Sequence, residues 1–490
     1  MIGYCCQVIL FEVIMEDNLH KYQRIQSILL SEIKSGKYKA GDLIPSDNVL
    51  MKRFSVSKST ITQALKSLAQ EGYIQRIQGK GSYVSGQSEN APLRFYLCPI
   101  ERNEEAYWID LVNHFNALNH GFSVEITFIY NDLIPLRDTL FRAFASGNAP
   151  DIFTLDGPDV SYWAYMKSLL PLDSFVSREY LERFIPTIIR QGTYKNHLYH
   201  IGYYESSLCI LYDRELFSRL RIRIPSDITD AWSWDEFLEI CSVIRTKTDI
   251  QYPLLMDTGR GLTSKQGEWI SYSTLPFIIQ NKGGIFDEKL SHTNGYLNSP
   301  PTVEAIAWLG DLFHHYRYTH MEDLHHLFPD HFAMSLSLPS AFFALAPEKQ
   351  KRVGVIPLPK HLINAVSHGS WGLCMSAQTK YPKECWTFMQ YVLSLENQLQ
   401  YAKYSGVPIL KEIFNILQGF NATSNCIDVL FSQLHDAAYT RPITPAYPFF
   451  SKTFSAAFLE IASGADAKEC LDAASKQIDE HILRHNYFRE

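Results

Sequence analysis

The sequence predicts a small α+β domain followed by a much larger α/β domain. Three observations predict this fold class. The chain has 490 residues, which is more than one hydrophobic core usually holds. Residues 19–86 carry eleven Lys and Arg against four Asp and Glu, although the whole chain has a net charge of −7. Beyond residue 92, strand-like apolar runs alternate with helical patterns, which is typical of an α/β domain.

The charge asymmetry indicates which domain meets polyanions. Residues 19–86 have a net charge of +7 and the remainder has −14, so only the small domain is expected to contact nucleic acid. The nine cysteines are scattered and form no CxxC pair. This usage indicates neither a zinc ribbon nor a disulfide framework and favours reduced thiols in a cytoplasm.

Residues 1–18 are expected to form an N-terminal extension. The first fourteen are apolar, but Glu12 interrupts them, no basic segment precedes them and no small-residue cleavage site follows. The run is also too short to span a bilayer. We therefore expect a disordered or poorly packed extension, or a start codon upstream of Met15, in preference to a signal peptide.

Residues 19–86 have the element order of a winged helix-turn-helix. Apolar residues spaced three and four apart over residues 22–33 predict a first helix. Ser46 is expected to cap a second helix that runs to Phe54, with Val49 and Leu50 facing inward.

The third helix and a hairpin complete this order. A turn at Ser55-Val56 leads to a helix that Ser57 is expected to cap and that ends at Glu71-Gly72. Alternating strands at 73–77 and 82–85 are joined by Gly79-Lys80-Gly81, the tip of the predicted wing.

The polar side of the third helix and the wing are candidate DNA contacts. The N–H groups and dipole of a helix N-terminus attract phosphate, while Ser, Thr and Gln side chains reach base edges. Glycines in a wing let the backbone approach phosphates or the minor groove. The ordered set and its charge favour this interpretation over a solvated helix face and a simple hairpin. The predicted DNA-binding residues are Asn48, Ser57, Lys58, Ser59, Thr60, Thr62, Gln63, Arg76, Gly79, Lys80 and Gly81.

This segment resembles the winged helix-turn-helix of the GntR family of bacterial regulators. The family's P-S-E-R appears as residues 45–48, its V-S-R-x-T-V-R-x-A-L pattern begins at Val56, and its G-x-G wing lies within residues 78–84. The resemblance implies a dimer on a two-fold DNA site. Asn48, Lys58 and Thr62 replace the arginines common in the family, and Lys lacks the bidentate fork that Arg offers guanine. The operator sequence therefore does not carry over.

A polar linker at 87–92 is expected to lead into the large domain, residues 93–490. Strands are predicted at 93–97, 124–130 and 151–155, and helices near 108–119, 233–246, 301–316, 382–394 and 466–482. No nucleophile elbow, P-loop, HExxH or GxGxxG motif is present, so we expect no enzyme, no catalytic residue and no cofactor. The pairs His314-His315 and His325-His326 would point to different sides of a helix, which argues against a metal site.

Aromatic residues and carboxylates mark a candidate ligand site in this domain. Aromatic rings stack on the C–H faces of sugars, and placed polar groups take the hydroxyls. The candidates are expected at loop positions just after strands, and they are Asp156, Asp159, Tyr204, Glu205, Trp269, Tyr272 and Trp371. The alternative for each is core packing or a place on the rim, and core packing is favoured for Trp234 and Trp308 inside amphipathic helices.

The large domain resembles the family 1 extracellular solute-binding proteins, the sugar-binding subunits of ABC importers. Motifs in family order include P-D-I-F at residues 150–153, L-Y-D-R-E-L-F at 211–217 and S-W-D-E-F at 233–237. The resemblance implies two α/β lobes with a ligand in the cleft between them. Residues 330–339 depart from the family pattern, which predicts a reshaped wall there.

Together these features predict a cytoplasmic, dimeric, sugar-responsive transcription regulator without a membrane segment. Its expected partners are a double-stranded DNA operator and a mono- or oligosaccharide, whose binding in the cleft modulates operator binding. The alternative is a regulator whose solute-binding-like domain docks a protein partner in place of a small molecule.

Overall fold

The computed structural model describes residues 21–34, 36–39, 41–70, 73–77, 80–84, 92–100, 104–130, 136–256, 268–320, 328–405, 407–417 and 424–487. The chain divides into two compact units. The first contains residues up to 129, 146–152 and 379–397, and the second contains 130–145, 153–378 and 398–490. The predicted N-terminal extension, most of the predicted linker and Gly79 lie outside the described residues.

The helices of the described residues are α1 (Lys21–Lys34), α2 (Asp47–Phe54), α3 (Lys58–Gln70), α4 (Glu105–Ala117), α5 (Leu136–Ala145), α6 (Val160–Tyr165), α7 (Arg178–Leu181), α8 (Pro186–Gln191), α9 (Arg214–Leu220), α10 (Trp234–Lys247), α11 (Glu268–Gln280), α12 (Pro300–His314), α13 (Pro339–Phe343), α14 (Pro347–Arg352), α15 (Pro382–Val392), α16 (Leu395–Ser405), α17 (Lys411–Leu417), α18 (Ser424–Asp436), α19 (Tyr447–Ala462) and α20 (Ala467–His485). The strands are β1 (Ile74–Ile77), β2 (Gly81–Val84), β3 (Leu93–Leu97), β4 (Val124–Phe128), β5 (Ile152–Asp156), β6 (Thr193–Tyr194), β7 (His197–Leu198), β8 (His200–Ser207), β9 (Cys209–Asp213), β10 (Leu254–Met256), β11 (Met334–Ser337), β12 (Val353–Ile356), β13 (Val366–Met375) and β14 (Ala438–Thr440).

The first unit begins with the predicted winged helix-turn-helix. Helices α2 and α3 are joined through Ser55, which adopts the left-handed conformation with φ of 53°. Strands β1 and β2 pair antiparallel, with Ile74 opposite Val84. The small core is formed by fully buried apolar side chains of the three helices, among them Leu29, Leu50, Ile61, Ala64, Leu65 and Leu68. The prediction of this fold from the apolar spacing is confirmed.

Two local predictions in this domain differ from the structure and one is confirmed. Ser46 precedes α2, but its side chain accepts no capping hydrogen bond. Of the two residues expected to face inward, Leu50 is buried in the core, whereas Val49 is 52% exposed. Ser57, in contrast, caps α3 as expected, since its Oγ accepts from the Thr60 N–H at 3.3 Å.

The rest of the first unit is a parallel strand pair with aromatic packing. Helix α4 connects β3 to β4, and Leu93 lies opposite Val124 in the parallel register. Phe388 of α15 packs edge-on against Phe95 and Phe115, with ring centroids 5.3 and 5.0 Å apart. The predicted strands and helices of this region are confirmed within two or three residues of their ends.

An aromatic cluster joins the winged domain to this strand pair within the first unit. The ring of Tyr73, at the base of the wing, lies 4.8 Å from His120 and 6.2 Å from Tyr391. His120 stacks on Phe115 at 4.4 Å. All four side chains are buried, and we call them the Tyr73 cluster. The winged domain is therefore held against the part of the first unit that contains β3 and β4 by packed aromatic rings.

The second unit contains mixed sheets. Strand β9 pairs antiparallel with β11 and β12, whereas β10 and β11 run parallel. The long strands β8 and β13 pair antiparallel, with a bulge between Trp371 and Gly372, and β14 runs parallel to β13. The predicted α/β class is confirmed, although its strand pairings are parallel only in part. Strand β9 follows β8 after a single residue but lies in the other sheet.

The helix predicted at 233–246 illustrates what the sequence specifies locally. Ser233 caps α10, and its Oγ accepts from the Glu236 N–H at 3.0 Å. Trp234 then stacks on Trp308 of α12 with ring centroids 4.3 Å apart. Trp234 is buried in the core, as predicted, whereas Trp308 is half-buried and packs against the same core.

A buried histidine in β8 predicts loss of stability in acid. His200 is fully buried, with Nε2 3.3 Å from the Leu155 carbonyl oxygen, and burial lowers its pKa from 6.5 to about 4. Below pH 6.5 the unfolded chain takes up a proton that the folded chain refuses until about pH 4, so stability falls over this window. Because of His200, we expect the free energy of unfolding to fall by about 2 kcal/mol between pH 7 and pH 5. Urea unfolding of wild type and His200→Gln at both pH values measures it, and an equal pH dependence in the two proteins would contradict the assignment.

Candidate functional sites

The predicted DNA-binding residues that the structure describes lie at α2 and α3 and in the wing. Lys58 and Gln63 of α3 and Asn48 of α2 are exposed, and so is Lys80 in the wing. At the start of α3 the hydroxyl oxygens of Ser59 and Thr60 each lie 2.8 Å from Ser57 Oγ. Thr62 is half-buried and Gly81 is exposed. This arrangement leaves basic and amide groups on the surface beside a helix N-terminus, as a phosphate or groove contact requires.

Arg76 has a structural contact in addition to its predicted role. Its Nη2 lies 3.4 Å from Asp47 Oδ2, and its Nη1 donates to the Thr62 carbonyl oxygen at 3.5 Å. The side chain therefore braces the wing against α2 and α3 while remaining exposed.

In the second unit, a buried charge cluster surrounds Arg441, the residue after β14. Its Nη1 and Nη2 donate to both oxygens of Asp156 at 2.8 and 2.7 Å, and Nη1 also donates to Glu268. Arg137 of α5 donates from Nε to Asp159 at 2.7 Å. We call these five residues the Arg441 cluster. Bidentate pairing of this kind holds planar groups in fixed geometry.

Glu268 opens α11 and ties this helix to α19. Its carboxylate accepts from the Tyr447 hydroxyl and the Ser451 hydroxyl, both at 2.8 Å. Burial raises the pKa of Glu268 above its usual range, although the charge of Arg441 opposes the shift. A carboxyl with a raised pKa can take a proton and then donate a hydrogen bond.

The Arg441 guanidinium also lies against an aromatic ring and a glycine. Its carbon is 5.0 Å from the centroid of Tyr272, which stacks on the half-buried Trp269 at 5.6 Å. A Cβ at Gly369 would stand 2.4 Å from Arg441 Nη2, so any larger residue would displace the guanidinium. The Tyr272 hydroxyl lies 2.9 Å from Ser206 Oγ, which links α11 to β8.

Glu205 is an internal brace. It is fully buried, and its Oε1 accepts from the N–H groups of Ser206 and Gly369, each at 2.9 Å. Its Oε2 lies 3.5 Å from His368 Nδ1. The carboxylate thereby fixes β8 to β13 and is enclosed by protein groups.

The expectation that the ligand candidates follow strands in loops is wrong for most of them. Asp156 is the last residue of β5 and Asp159 lies three residues beyond it, but Tyr204 and Glu205 lie inside β8 and Trp371 inside β13. Trp269 and Tyr272 lie in α11. The physical reason is that all eight residues of β8 are buried, so the strand lacks the alternation that would reveal it.

The structure brings some candidates together and separates others. Asp156, Asp159, Trp269 and Tyr272 meet at the Arg441 cluster. Tyr204 and Trp371 are register partners on β8 and β13, where Tyr204 is buried and Trp371 is half-buried. The sequence interpretation missed Arg137, Glu268, Arg441 and Tyr447. Arg441 and Asp156 are 285 residues apart, and no local pattern indicates such a pair.

The chain therefore combines two modules. A winged helix-turn-helix, which is a DNA-binding module, precedes a two-lobed α/β domain, which has a solute-binding fold. The chain belongs to the family described as bacterial extracellular solute-binding protein, whose model matches residues 110–416. Residues 21–84 match the model of the bacterial regulatory proteins of the gntR family. Both resemblances are thereby confirmed, and neither family consists of enzymes.

Curated relatives are similar to the winged domain. The HTH-type transcriptional regulator TreR of Bacillus subtilis (strain 168) is 39% identical over 66 residues, 14% of this chain and 28% of that protein. A probable fructoselysine utilization operon transcriptional repressor of Escherichia coli (strain K12) is 41% identical over 73 residues, 15% of this chain and 30% of that protein. The chain thus covers less than a third of either relative.

Solved structures are similar to the large domain. A solute-binding protein of an ABC transporter from Thermotoga lettingae TMO, bound with α-D-tagatose, has a TM-score of 0.68 and 19% identity over 80% of this chain and 100% of that chain. The maltose-bound MalE3 of T. maritima has a TM-score of 0.67 and 18% identity over 79% of this chain and 99% of that one. At these identities the likeness shows the fold.

No described helix is both long enough and apolar enough to cross a membrane. No three His, Cys, Asp or Glu side chains in the described ranges are grouped to hold a metal ion. His314 Nδ1 lies 3.0 Å from the Gly310 carbonyl oxygen, and His325-His326 fall outside the described residues.

Proposed function

We propose that this protein is a sugar-responsive transcription regulator that binds operator DNA as a homodimer in the cytoplasm. The observation that carries the proposal is the joining, in one chain, of a gntR-type winged domain to a solute-binding fold. The named relatives of the first are regulators, and the named structures similar to the second hold sugars. Because the proposed protein binds operator DNA, it is located with the chromosome in the cytoplasm.

Each domain has its own role in this proposal. Residues 19–86 bind DNA, residues 87–92 link, and residues 93–490 bind the effector. A sugar that reaches the Arg441 cluster stacks on Trp269 and exchanges hydrogen bonds with the carboxylates. Binding changes operator affinity only if the sugar prefers one conformation of the dimer, and the coupling is then reciprocal.

A second function places a protein partner at the solute-binding domain in place of a small molecule. The enclosure of Tyr204 and Glu205, two predicted ligand residues, favours this alternative. It predicts that no sugar stabilises the chain.

Lys58 and Lys80 carry the predicted contacts of α3 and the wing with DNA. We expect Lys58→Ala with Lys80→Ala to weaken binding to duplex DNA and to reduce the slope of log K against log salt by about 2, since each Lys releases about one counterion. The measurement is fluorescence anisotropy of labelled duplex at several salt concentrations. Lys66→Ala with Lys52→Ala, two other exposed lysines of α3 and α2, is the matched control. An unchanged slope in the first double variant would contradict the assignment of the DNA face.

Sugar binding is tested by thermal unfolding of the full chain against neutral mono- and oligosaccharides. We expect at least one sugar to raise Tm, because a ligand that binds only the folded state stabilises it. Trp269→Ala is expected to lower the affinity for that sugar about tenfold through the lost stacking surface. Trp371→Ala tests the second tryptophan among the predicted ligand residues, and Tyr296→Ala removes an exposed ring elsewhere as the control. A panel without any shift would favour the protein-partner alternative.

A further inference from the structure

We propose that the Arg441 cluster selects uncharged polyhydroxyl sugars and rejects sugar phosphates and sugar acids. The inference rests on the proposed function and specifies the chemical class of its effector. It matters for a regulator, because an internal sensor meets both free sugars and their phosphate esters.

The charge balance of the cluster disfavours anionic ligands. The cluster contains the carboxylates of Asp156, Asp159 and Glu268 against two guanidinium groups, a net charge of −1 when all are ionised. Protonation of Glu268, whose pKa is raised by burial, brings this balance to neutrality and never to a positive charge. A phosphate ester would add almost two negative charges beside these carboxylates, where burial weakens screening.

The guanidinium groups of both arginines are already occupied by carboxylates. Both Nη atoms of Arg441 bond to Asp156, and Nη1 bonds to Glu268 as well. Arg137 is engaged through Nε and Nη2 by both oxygens of Asp159. An incoming phosphate or carboxylate would have to displace one of these bidentate partners and leave a buried carboxylate unpaired.

Arg441 also has an unused hydrogen-bond donor. The Arg441 side chain is only 2% exposed, and its Nε–H has no hydrogen-bond partner among the described residues. A buried donor without an acceptor costs free energy that a ligand can recover. A hydroxyl suits this position, because its oxygen accepts from Nε–H while its proton goes to a carboxylate such as Asp156.

An aromatic ring surface adjoins the cluster. Trp269 is half-buried and stacks on Tyr272, whose ring lies 5.0 Å from the Arg441 guanidinium. An aromatic face beside hydrogen-bonding groups fits the C–H face and hydroxyl edge of one sugar ring. The cluster therefore offers both surfaces that a neutral sugar needs.

The test is isothermal titration of the full chain with matched pairs: glucose and glucose 6-phosphate, galactose and galacturonate, maltose and its phosphate ester. We expect the neutral member of any binding pair to bind at least tenfold more tightly. Glu268→Gln removes one negative charge at similar shape, so it should reduce this preference at least fivefold. Arg441→Lys removes the Nε–H and should weaken neutral-sugar binding about tenfold.

The outcomes separate this inference from the proposed function. Tighter binding of a phosphate ester or sugar acid by the wild type would overturn the selectivity and leave a sugar-responsive regulator. An unchanged preference in Glu268→Gln, with circular dichroism showing a folded variant, would overturn the charge argument even if Arg441→Lys failed to fold. The absence of binding by every compound, neutral or charged, would overturn the proposed function and the inference with it.

Discussion

Replacement of Arg441 by Met is expected to lower the free energy of unfolding by about 3–5 kcal/mol, because it leaves buried carboxylates without their partner. The guanidinium is 2% exposed and serves Asp156 and Glu268 together. Chemical denaturation at neutral pH, monitored by circular dichroism, measures the change. The size of the effect comes from the uncompensated charges, since Met fills much of the space of the Arg stem.

Two further variants show whether this explanation is right. Arg223→Met removes an arginine whose side chain is 46% exposed and pairs with Glu236 at 2.8 Å, and it should cost no more than about 1 kcal/mol. Asp156→Asn added to Arg441→Met should restore part of the loss, since one stranded charge is gone. Equal losses for the two single variants, or a double variant less stable than Arg441→Met, would contradict the buried-charge account.

Truncation of Tyr73 to Ala is the second large effect that we expect. Removing a nearly fully buried aromatic ring costs about 3 kcal/mol through lost burial and a residual cavity. The ring packs between the winged domain and His120 and Tyr391 of the same unit. We therefore expect the winged domain of the variant to open on its own, with faster amide exchange in α3 and β1 than in β3 and β4.

Native-state hydrogen exchange is the measurement that resolves this local opening. Tyr73→Phe keeps the ring and should behave nearly as the wild type. Tyr83→Ala, a half-buried ring of β2 outside the Tyr73 cluster, is the matched control and should leave the relative protection of β3 unchanged. Uniform loss of protection across the whole first unit of Tyr73→Ala would show that the ring does not join separable parts.

The parts of the fold that local patterns specify could be predicted from the sequence. The apolar spacing of α1 and α3, the Ser57 cap and the Ser233 cap involve residues a few positions apart, so their physics is visible in the chain. The exposure of Val49 could not be predicted in this way. Helical periodicity does not determine which of two adjacent apolar residues is buried in a small core.

The candidate site could be predicted only in part. Two of the predicted residues lie at this site. Asp156, the last residue of the buried strand β5, belongs to the Arg441 cluster, and Trp269 stacks on Tyr272 beside it. Arg441 itself is brought to Asp156 by the sheet order β14-β13-β5, and the two residues are 285 positions apart in the chain. Glu205 has the residue type of a sugar ligand, yet burial between β8 and β13 makes it a brace. Residue type indicates chemistry, whereas exposure follows from tertiary packing.

The most direct test of the central claim is the affinity of the full chain for operator DNA with and without sugar. A duplex is first selected from a random pool by the protein itself, and the sugar is one that raises Tm. Fluorescence anisotropy then gives Kd at zero and at saturating sugar, at fixed salt. A sugar-responsive regulator predicts a change in Kd of about fivefold or more, the lower range of measured couplings. The same Kd in both conditions, with the sugar shown to be bound, would contradict it.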